Sequence, residues 1–347
     1  MVYFIAEKKK NNSTAQNKAP SDIEEICEEM GFRKLMFCAK NDENGIKRII
    51  NIIECIIDWM IAFSALKKGD SLIYQYPMTC MPISIRMVEL LKKRKVKLIA
   101  LIHDLNSIRY KDGVFSERKL EFYRKCDFML DRFDYVICHN DAMKKAMLTG
   151  GMFKREKSII VLDIFDYLCK GEGNEKNCSY DKTVTVAGNL SRVKSGYLYK
   201  INELNINLFG INYDAGSVNN KIKYMGAFDA DELPQHLCGS FGLVWDGDET
   251  DTCSGTHGEY LKYNNPHKLS LYIASYMPVI IWEKAACADF VKKNKIGICV
   301  KSLKDIRAEL DTITDENYAE MKKNVHAIGV KLRKGYYTKR AITECIE

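Results

Sequence analysis

Short Val/Ile-rich runs alternate with amphipathic stretches along almost the whole of this 347-residue chain. That alternation constrains the fold more than any single motif does. Strands buried on both faces need helical crossovers to cover them, so a strand–helix–strand rhythm predicts parallel sheets flanked by helices. In the first half, strands are expected at residues 2–6, 34–39, 71–75, 97–103, 134–139 and 158–162. Helices are expected between them at 21–30, 46–66, 81–94, 116–131 and 141–148, with Ser21 and Asp141 in N-cap positions. A polar segment over 170–182 (KGEGNEKNCSYDK) then breaks the rhythm and is the best linker candidate. Strands resume at 183–187, 206–208, 223–228, 241–246, 278–282 and 297–300, with helices at 231–238, 266–276 and 284–294. The expected architecture is α/β, two Rossmann-like domains facing a cleft. An N-terminal domain covers 1–165, a C-terminal domain 183–325, and a last helix over 326–347 returns to the first domain. Ligands then belong beyond the carboxyl ends of the strands.

Composition narrows the chemistry. The net charge of +7 favours anionic ligands. The densest basic run, Lys92 to Lys97, falls at the end of an expected helix and reads as a solvated surface. No zinc-finger spacing or RNA-binding signature accompanies it, so nucleic acid is not an expected partner. The 13 cysteines form no regular framework and no metal-ligating cluster, which suits reduced thiols. The opening MVYFIAEK reads as a first strand rather than a signal peptide. The most apolar stretch, 52–63, is interrupted by Glu54 and Asp58, and no membrane span is expected. The expectation is a cytoplasmic protein. A GxGxxG fingerprint after the first strand, a Walker GxxxxGK[ST] and a GxSxG elbow are all absent, which counts against dehydrogenases, P-loop NTPases and α/β-hydrolases.

The segment from Tyr224 to Trp282 is the most informative. Within it, NNPHK predicts a helix start, with Asn264 or Asn265 as N-cap and Pro266 in the first helical position. The free N–H groups of His267 and Lys268, with the Lys268 ammonium, would then form an anion site at a helix N-terminus. A plain helix start with a surface lysine is the competing reading. Asp246 closes a strand before a long Gly-containing loop over 247–263, in which Glu259 is a candidate for holding a hydroxyl. Upstream, a strand ends in Ala187-Gly188-Asn189. Gly188 allows close backbone approach there, and Arg192 could fork onto a diphosphate. In the first half, His103 and Asp104 follow a strand and are candidate catalytic residues, with Asn106 and Arg109 nearby. A hydrogen-bonded structural histidine is the alternative. Gln75-Tyr76-Pro77 ends another strand as a turn.

The segments AGNLSR, YMGAFDADELP, GSFGLVWDG and GEYLKYNNPHK…PVIIW resemble a bacterial GT-B glycosyltransferase family. It comprises the glucosyltransferases that extend O-linked GlcNAc on serine-rich adhesins, and related β-1,6-galactofuranosyltransferases. NKAPSDIEEI, QYP and IHDLNSIR resemble its first domain, so the likeness spans nearly the whole chain. It implies a GT-B fold and a UDP-sugar donor held mainly by the second domain, with no cofactor and no required metal. It implies further that Arg192 and Lys268 grip the diphosphate; Gly188, Asn189, Asp246, Glu259 and His267 stand beside them as donor-side candidates on the residue reading above. Tyr224 and Asn265 would place nucleotide and sugar, and Thr14, Gln16 and Lys18 would face a glycan or glycoprotein acceptor. UDP-glucose is the first choice of donor and UDP-galactofuranose the second. A catalytically silent partner of another glycosyltransferase is the rival from a different class, and self-association into a homo-oligomer is left open. Many retaining GT-B enzymes carry two glutamates eight positions apart. Tyr263 and Leu271 stand at the corresponding places here, so the stereochemical outcome is not inferred.

Overall fold

The computed structural model describes residues 1–7, 15–38, 45–78, 81–110, 115–154, 157–169, 180–214 and 221–347. The chain separates into two compact units. One holds the first six strands together with Pro20–Leu162 and Thr338–Glu347; the other holds Asp163–Tyr337 and the start of the first helix as far as Ala19.

In the first unit, β1 (Val2–Glu7), β2 (Arg33–Phe37), β3 (Ser71–Tyr76), β4 (Lys97–Ile102), β5 (Tyr135–Cys138) and β6 (Ser158–Val161) form one parallel sheet in the order β2-β1-β3-β4-β5-β6. β3 is buried along its whole length, as a central parallel strand covered on both faces must be. The helix Gly45–Ala65 docks through Trp59, whose ring meets Phe37 edge-on at 5.0 Å and lies 6.3 Å from Tyr74. Chain order reverses between β1 and β3, so the crevice beyond their carboxyl ends is this sheet's switch point. The last helix, Tyr336–Ile346, contributes to this unit. Lys97 Nζ donates to the carbonyls of Cys345 and Ile346, and Arg340 donates to those of Val161 and Leu162.

In the second unit, β7 (Val184–Asn189), β8 (Ile206–Ile211), β9 (Ile222–Gly226), β10 (Phe241–Val244), β11 (Val279–Trp282) and β12 (Gly297–Val300) form a second parallel sheet, ordered β12-β11-β10-β7-β8-β9. Its switch point lies between β7 and β10.

Several local expectations shift. The first helix runs Ala15–Glu29 with Pro20 inside it, so Ser21 is not an N-cap; the helix accepts the loss of one backbone donor. The cap expected at Asp141 belongs to Asn140, whose Oδ1 accepts from Met143 N at 2.9 Å, and Asp141 becomes a dipole-favourable acid in the first turn. Pro266 is itself the N-cap of His267–Ala274, because its extended ψ of 130° keeps it out of the helix. The expected long loop after β10 contains a short helix, Gly255–Tyr260. The described cysteines are all free thiols, and no helix among the described residues is long and apolar enough to cross a membrane.

His139, just past β5, is almost wholly buried with Nε2 3.0 Å from the Ile102 carbonyl, and burial pushes its pKa down to about 4. The unfolded chain takes up a proton near pH 6.5 that the folded chain refuses, so stability falls as pH drops from there towards 4. Urea melts should lose about 2 kcal/mol from this group between pH 7 and pH 5, and His139→Gln should flatten that part of the profile. An unchanged slope in the variant would assign the acid sensitivity elsewhere.

Candidate functional site

Two loops meet at the switch point of the second sheet. The first leaves β7 at Asn189, where Gly188 and Gly210 lie side by side in register with φ of 126° and 141°. A Cβ on Gly210 would stand 1.8 Å from the Gly188 carbonyl oxygen, so this crossing admits only glycine. Asn189 Oδ1 accepts from Ser191 N and from Asn212 Nδ2, both at 3.0 Å, which fixes the turn into the helical segment Arg192–Ser195. The second loop leaves β10 and is tied to the first through its backbone. Gly247 N donates to the Lys194 carbonyl at 2.8 Å, and Tyr197 N donates to the Gly247 carbonyl at 3.3 Å.

Lys268, in the first turn of His267–Ala274, reaches under these loops. Its ammonium lies 2.7 Å from Asp246 Oδ1 and 3.0 Å from the Trp245 carbonyl, with both charged side chains nearly buried. Burial alone would raise the Asp246 pKa. The charges of Lys268 and Lys194, the Lys268 hydrogen bond and His257 outweigh it and hold the carboxyl below the ordinary carboxylate range. The stability this pair contributes is therefore present above the unfolded carboxylate pKa and lost as pH falls through the depressed native one.

Arg192 is exposed on the first loop. Its Nη2 lies 2.8 Å from Asp214 Oδ2, and its guanidinium stacks 4.0 Å from the centre of the Tyr199 ring. Tyr224, on β9, donates to the Gly210 carbonyl at 2.8 Å and stacks on Tyr213 at 5.0 Å, beside the Gly188–Gly210 crossing.

Other expected site residues are engaged locally. The Asn265 amide donates to the Asp163 carbonyl at 3.1 Å and its oxygen accepts from the Cys287 thiol at 3.0 Å, a buried brace behind the helix start. The His267 ring stacks on Tyr167 at 4.9 Å, and burial, with the Lys18 charge adding to it, pushes its pKa down to about 3. It is neutral and offers no charge to an anion. Glu259 is half-exposed and pairs with Lys262 one turn on. Lys18 is buried, 2.7 Å from both Asp231 Oδ1 and the Leu168 carbonyl, and so belongs to the second unit's packing. Thr14 and the Gln16 side chain lie outside the described residues.

In the first unit, His103 and Asp104 follow β4 at the sheet's carboxyl edge. His103 Nε2 is 2.7 Å from Gln75 Oε1, and Asp104 pairs with Arg109 at 2.8 Å. Sequence reading missed Asp127, which is buried, accepts from Ser107 N at 2.8 Å and from the Tyr76 hydroxyl, and supports this loop. Burial pushes its carboxyl up despite those hydrogen bonds. It also missed Asp214 and Tyr199, because nothing local links them to Arg192. Among the described residues no group of three or more His, Cys, Asp or Glu is placed to hold a metal ion.

The architecture matches solved structures. Sucrose-phosphate synthase from Thermosynechococcus elongatus superposes with a TM-score of 0.61 at 15% identity, covering 99% of this chain and 96% of that one. Two parallel α/β sheets of this kind make the GT-B architecture. Residues 1–164 match the family profile described as "Glucosyltransferase 3-like, N-terminal domain", and residues 184–345 match its C-terminal counterpart. The chain belongs to the glucosyltransferase 3-like family. It is 36% identical over 285 residues to the beta-1,6-galactofuranosyltransferase WbbI of Escherichia coli (strain K12), covering 81% of each chain. It is 23% identical over 350 residues to glucosyltransferase 3 of Streptococcus parasanguinis, covering 96% of this chain and 94% of that one.

Removing Lys268 alone strands the Asp246 carboxylate. Lys268→Ala should cost about 3 kcal/mol in urea denaturation, whereas the combined Asp246→Asn and Lys268→Met change should recover most of that loss. Equal losses in the two variants would show that the pair is not what stabilises this loop.

Proposed function

We propose that the chain moves a hexosyl group from a uridine diphosphate sugar onto a hydroxyl of a sugar acceptor, on a glycan or glycoprotein, without a metal ion. The observation that supports this reading is the cationic edge at the switch point of the second sheet. Arg192, Lys194, Lys268 and the start of the helix His267–Ala274 all lie there. Charge grows on the leaving diphosphate as the glycosidic bond breaks, and cations already fixed in place stabilise that charge without reorganising. Asp246 and Asp214 hold the two principal cations in position before the donor arrives. A diphosphate offers Arg192 a fork-like partner better matched than one exposed carboxylate. Tyr224 and its stacked partner Tyr213 are suited to flank the base, and Thr14 and Gln16 are assigned to the acceptor side.

The 36% identity to a galactofuranosyltransferase favours UDP-galactofuranose as donor. UDP-glucose, the sequence-based first choice, is the second reading, favoured by the family description and by the glucosyltransferase 3 relatives.

Thermal melts with UDP, UDP-glucose, UDP-galactofuranose and an NAD control test the donor. A ligand at about 100 times its Kd adds about 2.7 kcal/mol, so UDP and one UDP-sugar should raise Tm while NAD does not. Arg192→Ala removes an exposed side chain, so its Tm without ligand should be unchanged while transfer falls on the order of 10²-fold. Undiminished transfer by that variant would remove the diphosphate role, and donor turnover without any acceptor would point to an epimerase instead.

A further inference from the structure

Gln75 places a polar amide near the end of β3, a strand buried along its whole length. A buried amide is tolerated when it is hydrogen-bonded, and a strand of this kind has no need of one to pack. Two partners take it up. Its Oε1 lies 2.7 Å from His103 Nε2, and its Nε2 lies 3.5 Å from the Pro20 carbonyl oxygen. The Pro20 contact decides which way the amide points, because the reversed amide would set two oxygens face to face. Oε1 therefore meets the ring. A carbonyl oxygen only accepts, so His103 Nε2 is the protonated nitrogen. In a neutral imidazole Nδ1 then carries the lone pair.

We propose that Gln75 is a positioning residue for glycosyl transfer, fixing the His103 ring so that Nδ1 accepts a hydrogen bond from a hydroxyl of a bound sugar, on the donor or on the acceptor. The identity of that ligand rests on the proposed function. Gln75 and His103 stand at the ends of neighbouring strands, β3 and β4, on the carboxyl edge where an open parallel sheet receives its ligands. The backbone under the ring is held too. His103 N donates to the Tyr76 carbonyl at 2.7 Å, and Ser107 N donates to Asp127 at 2.8 Å. An acceptor aimed before the sugar arrives needs no reorganisation when it binds. The charged and titratable groups around this loop are the Asp104–Arg109 pair, the buried Asp127 and the neutral His139 just past β5.

Nitrogen-15 NMR of the full chain, labelled at its six histidines, reads the tautomer directly, with His103→Asn identifying the resonances. At pH 8, above the ordinary histidine range, His103 should show Nε2 protonated and Nδ1 unprotonated. Gln75→Met should add a population with the pattern reversed, while the remaining histidines keep theirs, and turnover should fall on the order of 10-fold or more. Gln75→Glu keeps the accepting oxygen and adds a charge that favours the imidazolium. It should retain the tautomer and move the acidic limb of kcat/KM up by about one pH unit. Adding whichever of UDP-glucose and UDP-galactofuranose raises Tm should shift the parent's Nδ1 resonance where UDP does not, if the hydroxyl is the donor's. A shift that waits for an added methyl hexoside assigns it to the acceptor. A protonated Nδ1 in the parent overturns the proposal, and that spectrum decides even if Gln75→Met fails to fold. An Nδ1 resonance indifferent to both sugars overturns it as well. If no UDP-sugar raises Tm, the proposed transfer falls and the sugar hydroxyl with it, while the tautomer stands on the parent's spectrum.

Discussion

An ammonium and a carboxylate withdrawn from water must find in the protein what the solvent gave them, and the second unit is organised around meeting that demand at Lys268 and Asp246. The Trp245 carbonyl takes a second Lys268 proton, and the Trp245 indole donates to the Glu249 carbonyl at 3.0 Å, which fixes the loop in turn. Gly247, with φ of 118°, turns the chain there, and its N–H reaches across to Lys194. The two loops that leave β7 and β10 are thus one hydrogen-bonded piece, and the position of Arg192 follows from it. Stability and charge placement are the same set of contacts. An activity loss in a Lys268 variant is therefore informative only when the fraction folded has been measured beside it.

Much of this was legible in the residues. The rhythm of twelve short apolar runs predicted the strands in their order, because a parallel strand needs no more information than a buried run and a crossover. The Asn-Pro-His-Lys segment marked its helix start within one residue, since proline's missing N–H restricts where a helix can begin. Pairings were not legible. Arg192 meets Asp214 across 22 positions, and Tyr76 meets Asp127 across 51. Such contacts are fixed by which strands become neighbours, and a local pattern carries no record of that. The short helix Gly255–Tyr260 escaped notice for a related reason: two glycines in six residues signal a loop on propensity alone.

The helix Gly45–Ala65 is a different kind of illegibility. Apolar residues on every side give periodicity nothing to choose between, so the sequence shows that the helix exists without showing which face turns inward. Packing decides it. Only one face places the Trp59 ring between Phe37 and Tyr74, with its indole N–H 3.3 Å from Ser84 Oγ. A face of isoleucines contains no ring to fill that space and no polar group to meet the serine. The outward isoleucines are what remains once Trp59 has fixed the rotation of the helix.

His267 and Lys268 show how finely position divides labour at the candidate site. Both occupy the first turn of one helix, and sequence reading gave both to the anion. Burial against Tyr167 strips His267 of its charge, and the nearby Lys18 ammonium adds to that. One residue on, about 100° around the helix, the side chain of Lys268 reaches Asp246 instead, and a charge can be kept. The stacked histidine fixes the direction of the helix start and the lysine supplies its charge. Exchanging the two would bury an ammonium against an aromatic ring and leave Asp246 facing an imidazole too short to reach the Trp245 carbonyl as well. The order His-Lys is therefore set by the two environments, one apolar and one acidic, that the fold brings to successive sides of the same turn.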